Sequence, residues 1–421
     1  MENGLLNDQS EAVRRATLLR VKAEYESGER IKVTSGPDVN NHIHTTYSFS
    51  PYSPTMAVYR GYMAGLKTVG LIDHDNISGA REFLRAAQVF EMAATIGVEC
   101  RVDMSNTPLN GRRINNPDQD SIIYVAMHGV PHTQIDMIND FFAPYRAHRN
   151  QRNRQIVDNI NAMMAPLFCM DFDRDVVPLS NFEQGGSITE RHIMYALAKM
   201  LTREFGRGKN VCDFLQKKMK LNISPKIYEY LTDTANPYYD YDLLGLFKSE
   251  FLPSVYVPAT LECPDVRDIA ALADRTGAIL AYAYLGDVGE SVTGDKRAQK
   301  FEDDYIELVF DTIKDLGFRA VTYMPSRNTQ EQITRVRTLC EERGLLQISG
   351  EDVNSPRQSF IFEKQREEQF ANLFDSTWAL IGHEKVATMR LEDAFFSPQT
   401  IEKYPNLNER IQVYKKLGMT L

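Results

Sequence analysis

Short apolar runs alternate with longer stretches whose apolar positions recur at helical spacing, from about residue 41 onward. This alternation of strand and helix is typical of β-α units around a parallel sheet. The first unit has a clear helix start, because Ser53 can cap a helix and Pro54 fits its first position. We interpret the later apolar runs as strands at 69–72, 95–98, 121–127, 278–283, 319–324 and 345–349. The pattern predicts an α/β protein of the β/α barrel kind.

Three segments depart from this alternation. Residues 1–30 have the pattern of a polar amphipathic helix. A loop at 32–41, which contains Gly36 and Pro37, leads from it into the first strand. The stretch after residue 132 is long and helical, more than a crossover between two strands needs. The chain therefore divides into an N-terminal helical cap at 1–35, a barrel formed by 36–132 and 266–360, a helical insertion at 133–265, and a C-terminal extension at 361–421.

Composition narrows the class of protein. The 421 residues are 43% hydrophobic and 25% charged, as in ordinary globular proteins, and the net charge of −9 disfavours a long nucleic-acid partner. A small anionic substrate is still compatible, because a local arginine cluster binds phosphate. The N-terminus lacks the apolar block of a signal peptide, and we expect no membrane span. Five cysteines, an odd number, favour reduced buried thiols and a cytoplasmic location.

His42 and His44 are the first candidates for chemistry. Side chains two residues apart on a strand project from the same face, so both imidazoles can meet one cation. A single His-x-His pair is as compatible with an ordinary surface pair as with a metal site.

Two further candidates follow the next apolar runs. His74 comes just after the second run and Glu99 just after the third. Barrel enzymes place their sites at the C-terminal ends of strands, so these positions favour a shared site. The alternatives are a capping or core role for His74 and an ordinary surface acid at Glu99, although Val98 and Cys100 make exposure of Glu99 less natural.

Asp352 and His192 complete the set. Asp352 follows the run 345–349 through Gly350, in a turn where an aspartate is common without any metal. His192 lies in the first turn of a helix whose start is marked by Thr189. Taken alone, His192 fits a capping role better than a ligand role.

At these residues the chain resembles the PHP family, the polymerase and histidinol phosphatase domain of metal-dependent phosphoesterases. The resemblance begins with His42-Ile43-His44 and continues through the segments 70–75 and 97–99. Arg191-His192-Ile193 is similar to the family's Arg-Pro-His motif, and Gly350-Glu351-Asp352 stands at its closing element.

The resemblance implies a distorted barrel of seven β/α units with two or three divalent metal ions clustered at one mouth. Neutral imidazoles and carboxylates accommodate Zn, Mn or Fe. The resemblance implies that His42, His44 and Asp352 hold one metal. It also implies that Glu99 bridges to a second metal held by His192.

Several positions depart from the family pattern. Phe49 stands where an Asp is usual, Asn354 stands where the closing His is expected, and Tyr282 replaces another usual His. The third site would then depend on His74 alone, so we expect it to be weak.

The histidine that the family has after the bridging Glu is also displaced. Tyr124 holds the corresponding strand position, and His128 lies one turn further along. We interpret His128 as the substitute ligand.

These observations predict a metal-dependent phosphoesterase that hydrolyses a nucleotide, a sugar phosphate or a similar small phosphorylated compound by two-metal hydroxide attack. Arg191 and Arg357 are the expected phosphate clamps, with Arg327 third; the alternative for each is a solvated structural arginine. One alternative function is a regulatory protein whose degraded site binds metal or nucleotide without turnover. A metal-dependent amide or lactone hydrolase is another.

Overall fold

The fold is a curled eight-stranded sheet wrapped by helices, in a computed structural model that describes residues 2–165, 167–289 and 299–420. The described strands are β1 Val39–Ile43, β2 Thr68–His74, β3 Ala93–Asp103, β4 Ile122–His128, β5 Ile279–Ala283, β6 Ala320–Tyr323, β7 Leu346–Ser349 and β8 Asp352–Val353. Their order is β7-β6-β5-β4-β3-β2-β1-β8. The curl also brings β7 near β1.

Helices cover both the outer face and the mouth of this sheet. In chain order they are α1 Glu2–Leu6, α2 Glu11–Glu26, α3 Pro54–Met63, α4 Ala80–Val89, α5 Ile135–Met164, α6 Glu190–Phe205, α7 Lys209–Lys217, α8 Pro225–Thr232, α9 Tyr239–Leu246, α10 Leu252–Val255, α11 Val266–Thr276, α12 Ile306–Asp315, α13 Gln330–Arg343, α14 Ala371–Met389, α15 Pro398–Lys403 and α16 Leu407–Met419. The predicted start of α3 is confirmed, because the Ser53 hydroxyl accepts a hydrogen bond from the backbone N–H of Met56 at 3.0 Å.

One strand runs against the others. β4 is antiparallel to both β3 and β5, whereas the remaining neighbours are parallel. No helix lies between β3 and β4, and antiparallel neighbours need none. The expectation of an all-parallel sheet was therefore wrong at this strand. β3 is also longer than expected, so Glu99 lies within it rather than after its end.

The helical insertion has an apolar core of its own. Helices α5 to α10 follow β4 in the chain and precede β5. Phe49, from the loop after β1, is buried in the insertion core rather than in the core of the sheet. This loop therefore joins the mouth of the sheet to the insertion. The segment boundaries drawn from the sequence stay predictions.

The remaining expectations concern thiols and membranes. All five cysteines are free thiols, and four of them are buried, but Cys169 is exposed, contrary to expectation. No helix within the described ranges has the length and apolar character needed to cross a bilayer.

Candidate metal centre

A first group of donor atoms forms where β1 and β8 meet. His42 pairs with Asp352 in the register of these strands, and His44 follows β1 directly. The two Nε2 atoms of His42 and His44 lie 3.2 Å apart, and His44 Nε2 lies 3.3 Å from Asp352 Oδ1. Strand pairing thus places three side chains from distant parts of the sequence around one point.

A second group adjoins the first. His74 ends β2 and pairs with Glu99 on β3, so their side chains share one face of the sheet. His74 Nδ1 lies 3.3 Å from Glu99 Oε2, and His44 Nε2 lies 3.8 Å from the same oxygen. Within each group the donor atoms all lie within 4.8 Å of one another.

The donor set fits divalent metal ions. Ligand atoms about 2.0–2.2 Å from a cation are roughly 3–3.5 Å from each other, which is close to the spacing here. Asp352 Oδ1 is buried and has no hydrogen-bond partner among the described residues, although it faces His44. Such an oxygen is costly unless a cation satisfies it. Imidazoles and carboxylates without thiolate suit Zn, Mn or Fe.

A hydrogen-bond chain fixes the orientation of His44. Its Nδ1 lies 3.3 Å from the Ser48 hydroxyl, which donates to Asp73 Oδ1 at 2.6 Å. The buried Asp73 also accepts hydrogen bonds from the backbone N–H and the hydroxyl of Thr45. Because the Ser48 proton is committed to Asp73, His44 must donate from Nδ1. Its Nε2 is then unprotonated and free to bind a cation.

Electrostatics favour the ionisation states that a cation needs. Burial opposes ionisation of Glu99, but His74, His42 and His44 outweigh it and hold the pKa of this carboxyl far below its usual range. Burial lowers the pKa of His74 well below its ordinary value, and nearby Arg149 adds to the effect. The neighbouring imidazoles thus favour the ionised form of Glu99, and burial favours the neutral form of His74, which are the forms that bind a cation.

Asn354 holds Asp352 in place. Its side-chain amide donates a hydrogen bond to Asp352 Oδ2, and its Oδ1 accepts one from Arg191 Nη1 at 2.7 Å. Asn354 therefore orients one candidate ligand and positions an arginine beside it. At the place where the PHP family has a histidine ligand, this chain has a supporting residue.

The donor groups border a cavity of about 480 Å³. His42, His74, Glu99 and Asp352 line it, together with four Arg and Lys residues. These are Arg149, Arg191, Lys248 and Arg327. The carboxylates and imidazoles can hold metal cations, and the basic side chains add positive charge to the same pocket. Such a pocket suits a ligand that is an anion.

Arg357 is not among the residues that line this pocket. Its guanidinium makes a two-point ion pair with Asp242, at 2.7 and 2.8 Å, and its centre lies 4.0 Å from the ring centroid of Tyr230. Arg357 therefore ties the segment after β8 to the insertion. Its closeness to Asp352 in sequence does not place it near the donors.

His192 is also outside both donor groups. Its Nδ1 accepts a hydrogen bond from the backbone N–H of Thr189 at 3.0 Å, and its ring packs edge-on against Phe49 at 4.9 Å. Burial, then Arg149, lowers the pKa of His192 to about 3, so it is neutral. A neutral histidine that accepts at Nδ1 carries its proton on Nε2 and offers no free nitrogen to a metal. The geometry here is that of a helix cap.

His128 belongs to neither donor group of the described residues. It ends the antiparallel strand β4, where it is buried opposite Ile279, and burial, then His42, lowers its pKa to about 3. Tyr124, near the start of β4, lines the pocket, with its ring centroid 6.1 Å from that of His74. The interpretation of His128 as a substitute ligand stays a prediction.

Two other departures from the family pattern have structural roles. Tyr282 donates its hydroxyl proton to Glu302 at 2.8 Å, inside the core beside the pocket. Phe49 packs against Tyr195 and Tyr241 of the insertion, with ring centroids 5.7 and 6.1 Å apart. Neither side chain contributes a donor atom to the centre.

Sequence reasoning missed two of the basic residues in the pocket. Arg149 belongs to a row of arginines three residues apart on α5, with Arg146 and Arg152, and all three are buried. It pairs with Asp75 and, at 3.1 Å, with Glu190. A buried row of arginines at helical spacing was a signal that could have been found. Lys248 left no comparable sequence signal.

Comparisons with known proteins bear on the fold. No protein-family profile matches the chain, and no curated protein matches its sequence. A presumed metal-dependent phosphoesterase from Bifidobacterium adolescentis matches 80% of this chain and 96% of its own, with 18% identity and a TM-score of 0.51. An amidohydrolase from Chromobacterium violaceum, with bound sulfate and no metal, covers 76% of this chain and 88% of its own, with 16% identity and a TM-score of 0.49. The first likeness confirms the predicted PHP-like fold.

Proposed function

We propose that this chain is a metal-dependent phosphoesterase that hydrolyses the phosphate ester of a small compound. The proposal assigns His42, His44 and Asp352 to one divalent cation, and His74 with Glu99 to a second. It differs from the family arrangement in leaving out His192 and in giving His74 a primary role.

One observation carries the proposal. The donor groups share a pocket with cationic side chains, and Arg191 has spare donors there, since Nη1 alone bonds to another described residue. A phosphoryl group carries negative charge on three oxygens, so it is attracted both to metal ions and to a guanidinium. An amide or a lactone is neutral, so it does not need positively charged side chains in addition to the metal ions.

The chain's own residues hold and orient the substrate. Arg191 binds phosphoryl oxygens, while Asn354 keeps that guanidinium next to Asp352. The ion pair of Arg149 with Glu190 fixes the start of α6, which carries Arg191. When bound, two divalent cations would polarise the phosphoryl group and generate a nucleophile from water.

The test is a panel of phosphate esters assayed with protein of known metal content. We expect phosphate release with Mn, Zn or Fe, and loss of at least about 10²-fold in kcat/KM for His44→Ala. The matched control is His132→Ala, because His132 is partly exposed and pairs with Glu384 outside the pocket. The control should retain the wild-type rate.

Three outcomes would contradict the proposal. Bound metal without release of phosphate from any ester favours a binding or regulatory protein. Hydrolysis of amides or lactones, with indifference to inorganic phosphate, favours an amide or lactone hydrolase. An unchanged rate in His44→Ala would remove the proposed centre from the reaction.

A further inference from the structure

Lys248 stands on an unusual turn of the insertion. Residues Phe247–Phe251 form a π-helical turn between α9 and α10. Such turns are rare and occur frequently at functional sites. Phe247 and Phe251 anchor the turn in the insertion core, with ring centroids 6.1 Å apart. Lys248 lies between them in sequence; its side chain is partly open to solvent and lines the same pocket as the candidate metal donors.

The ammonium group of Lys248 is free to act on a ligand. Across the described ranges it has neither a hydrogen bond nor an ion pair with another side chain. The other basic residues of the pocket are already tied to the protein: Arg149 by two ion pairs, Arg191 by its bond to Asn354, and Arg327 by its bond to the Leu285 carbonyl. Lys248 is therefore the pocket cation with the most freedom to follow a bound substrate.

Four charged groups face this lysine. Arg191 and Glu190 come from α6, Asp118 from the loop before β4, and Asp352 from β8. Arg191 first, and then the loss of solvent around the amine between the pocket residues, lowers the pKa of Lys248 to about 8, although the three carboxylates act in the opposite sense. At neutral pH the amine is thus mainly protonated, and it is a stronger acid than an ordinary lysine.

We propose that Lys248 is the proton donor to the leaving-group oxygen of the phosphate ester, an inference that rests on the proposed function. The bond between phosphorus and the ester oxygen breaks, and its electron pair stays on that oxygen. The Lys248 ammonium gives this oxygen a proton, which releases the alcohol. Water supplies the new oxygen on phosphorus, and the proton it loses restores the ammonium through solvent. The balance is one ester and one water for one alcohol and one hydrogen phosphate.

The choice of leaving group tests this role directly. The 4-nitrophenolate of 4-nitrophenyl phosphate leaves without a proton, whereas the alkoxide of glycerol phosphate needs one. For Lys248→Met we expect kcat/KM to fall about 10²–10⁴-fold on the alkyl ester. On the nitrophenyl ester the fall should be about tenfold or less. Lys217→Met is the control, since Lys217 is an exposed lysine of the same insertion.

A second variant separates proton donation from charge. Arginine keeps the positive charge but does not release a proton near neutral pH. Lys248→Arg should therefore recover activity on the nitrophenyl ester and stay defective on the alkyl ester. In the wild type, kcat/KM on the alkyl ester should fall as the pH rises through about 8. Neither Lys248 variant should show that fall.

The reactivity of the Lys248 amine can also be measured by chemical labelling, without any hydrolysis of substrate. An amine-directed acylating reagent at pH 8 should modify Lys248 faster than Lys217, as measured by peptide mass spectrometry, because more of its amine is neutral. Inorganic phosphate should protect Lys248 and leave Lys217 unaffected. Equal labelling of the two lysines would overturn the inference.

The kinetic outcomes distinguish this inference from the proposed function. Equal losses on both esters in Lys248→Met, or full rescue of the alkyl ester by Lys248→Arg, overturn the proton-donor role alone. If the metal-loaded wild type hydrolyses neither ester nor any other phosphate, the proposed function fails, and the inference fails with it.

Discussion

Asn354 donates a side-chain hydrogen bond to Oδ2 of Asp352 and leaves Oδ1 of that carboxylate directed at His44. The amide thus sets which carboxylate oxygen is available to a cation. It also accepts from Arg191, so the candidate ligand and the candidate phosphate clamp depend on one side chain.

Removing this amide should weaken the metal centre. Residues that orient metal ligands typically contribute 10–100-fold to metal affinity, so Asn354→Ala should lower affinity for one cation by about that factor. Titration calorimetry of the metal-free protein measures it. Asn159→Ala is the control, because the Asn159 amide donates to the Val255 carbonyl within the insertion, away from the donor groups. Equal affinities in the two variants would show that Asp352 does not depend on Asn354.

Restoring the family's aspartate at position 49 should damage the fold. Phe49 is buried among the rings of His192, Tyr195 and Tyr241, in the apolar core of the insertion. Phe49→Asp should lower the free energy of unfolding by about 4 kcal/mol or more, because it opens a cavity and buries a charge. Phe49→Leu should cost only about 1–2 kcal/mol. Urea unfolding distinguishes them, and a stable Phe49→Asp with an additional bound metal would contradict this role.

The two arginines expected from the sequence to bind phosphate should behave differently. Arg191 lines the pocket, so Arg191→Ala should raise KM and lower kcat/KM by about 10–100-fold for a phosphate ester. Arg357 is held by Asp242 and Tyr230, so Arg357→Ala should lower the melting temperature and leave kcat/KM near the wild-type value. Steady-state kinetics and thermal melts of both variants check this. A large loss of kcat/KM in a well-folded Arg357→Ala variant would show that Arg357 does act on the substrate.

Glu302 should make stability fall as pH rises. Burial raises the pKa of this carboxyl from 4.5 to about 7, and its Oε2 has no partner among the described residues. Between those pH values the folded chain keeps a proton that the unfolded chain releases. The free energy of unfolding therefore falls by about 3 kcal/mol across this range and is flat at higher pH. Glu302→Gln should remove this fall and be the more stable form at pH 8. Parallel pH dependences would contradict the assignment.

Where the sheet is parallel, the residues chosen by the strand-end rule do come together as candidate donors. His74 ends β2 and Asp352 begins β8, so local apolar patterns were enough to place both beside His42 and His44. The rule does not extend to His128, because β4 is antiparallel and His128 belongs to neither donor group of the described residues. The segment before β4 contains Pro108, Asn110, Gly111 and Pro117, turn formers without helical periodicity, which could have indicated a direct return.

The walls of the pocket depend on contacts that no local pattern encodes. Lys248 belongs to the insertion and lines the pocket because the insertion packs next to the mouth of the sheet. Arg357 shows the converse, since it is five residues from Asp352 in sequence and yet pairs with Asp242. Long-range packing decides both positions.

The most direct measurement of the central claim is the rate of phosphate release as metal-free protein is reloaded with Mn, Zn or Fe, one equivalent at a time. The account predicts that hydrolysis of a phosphate ester rises with added metal and levels off at two equivalents. It also predicts that Glu99→Gln never reaches the wild-type plateau. Full loading with metal and no release of phosphate from any ester would contradict the account.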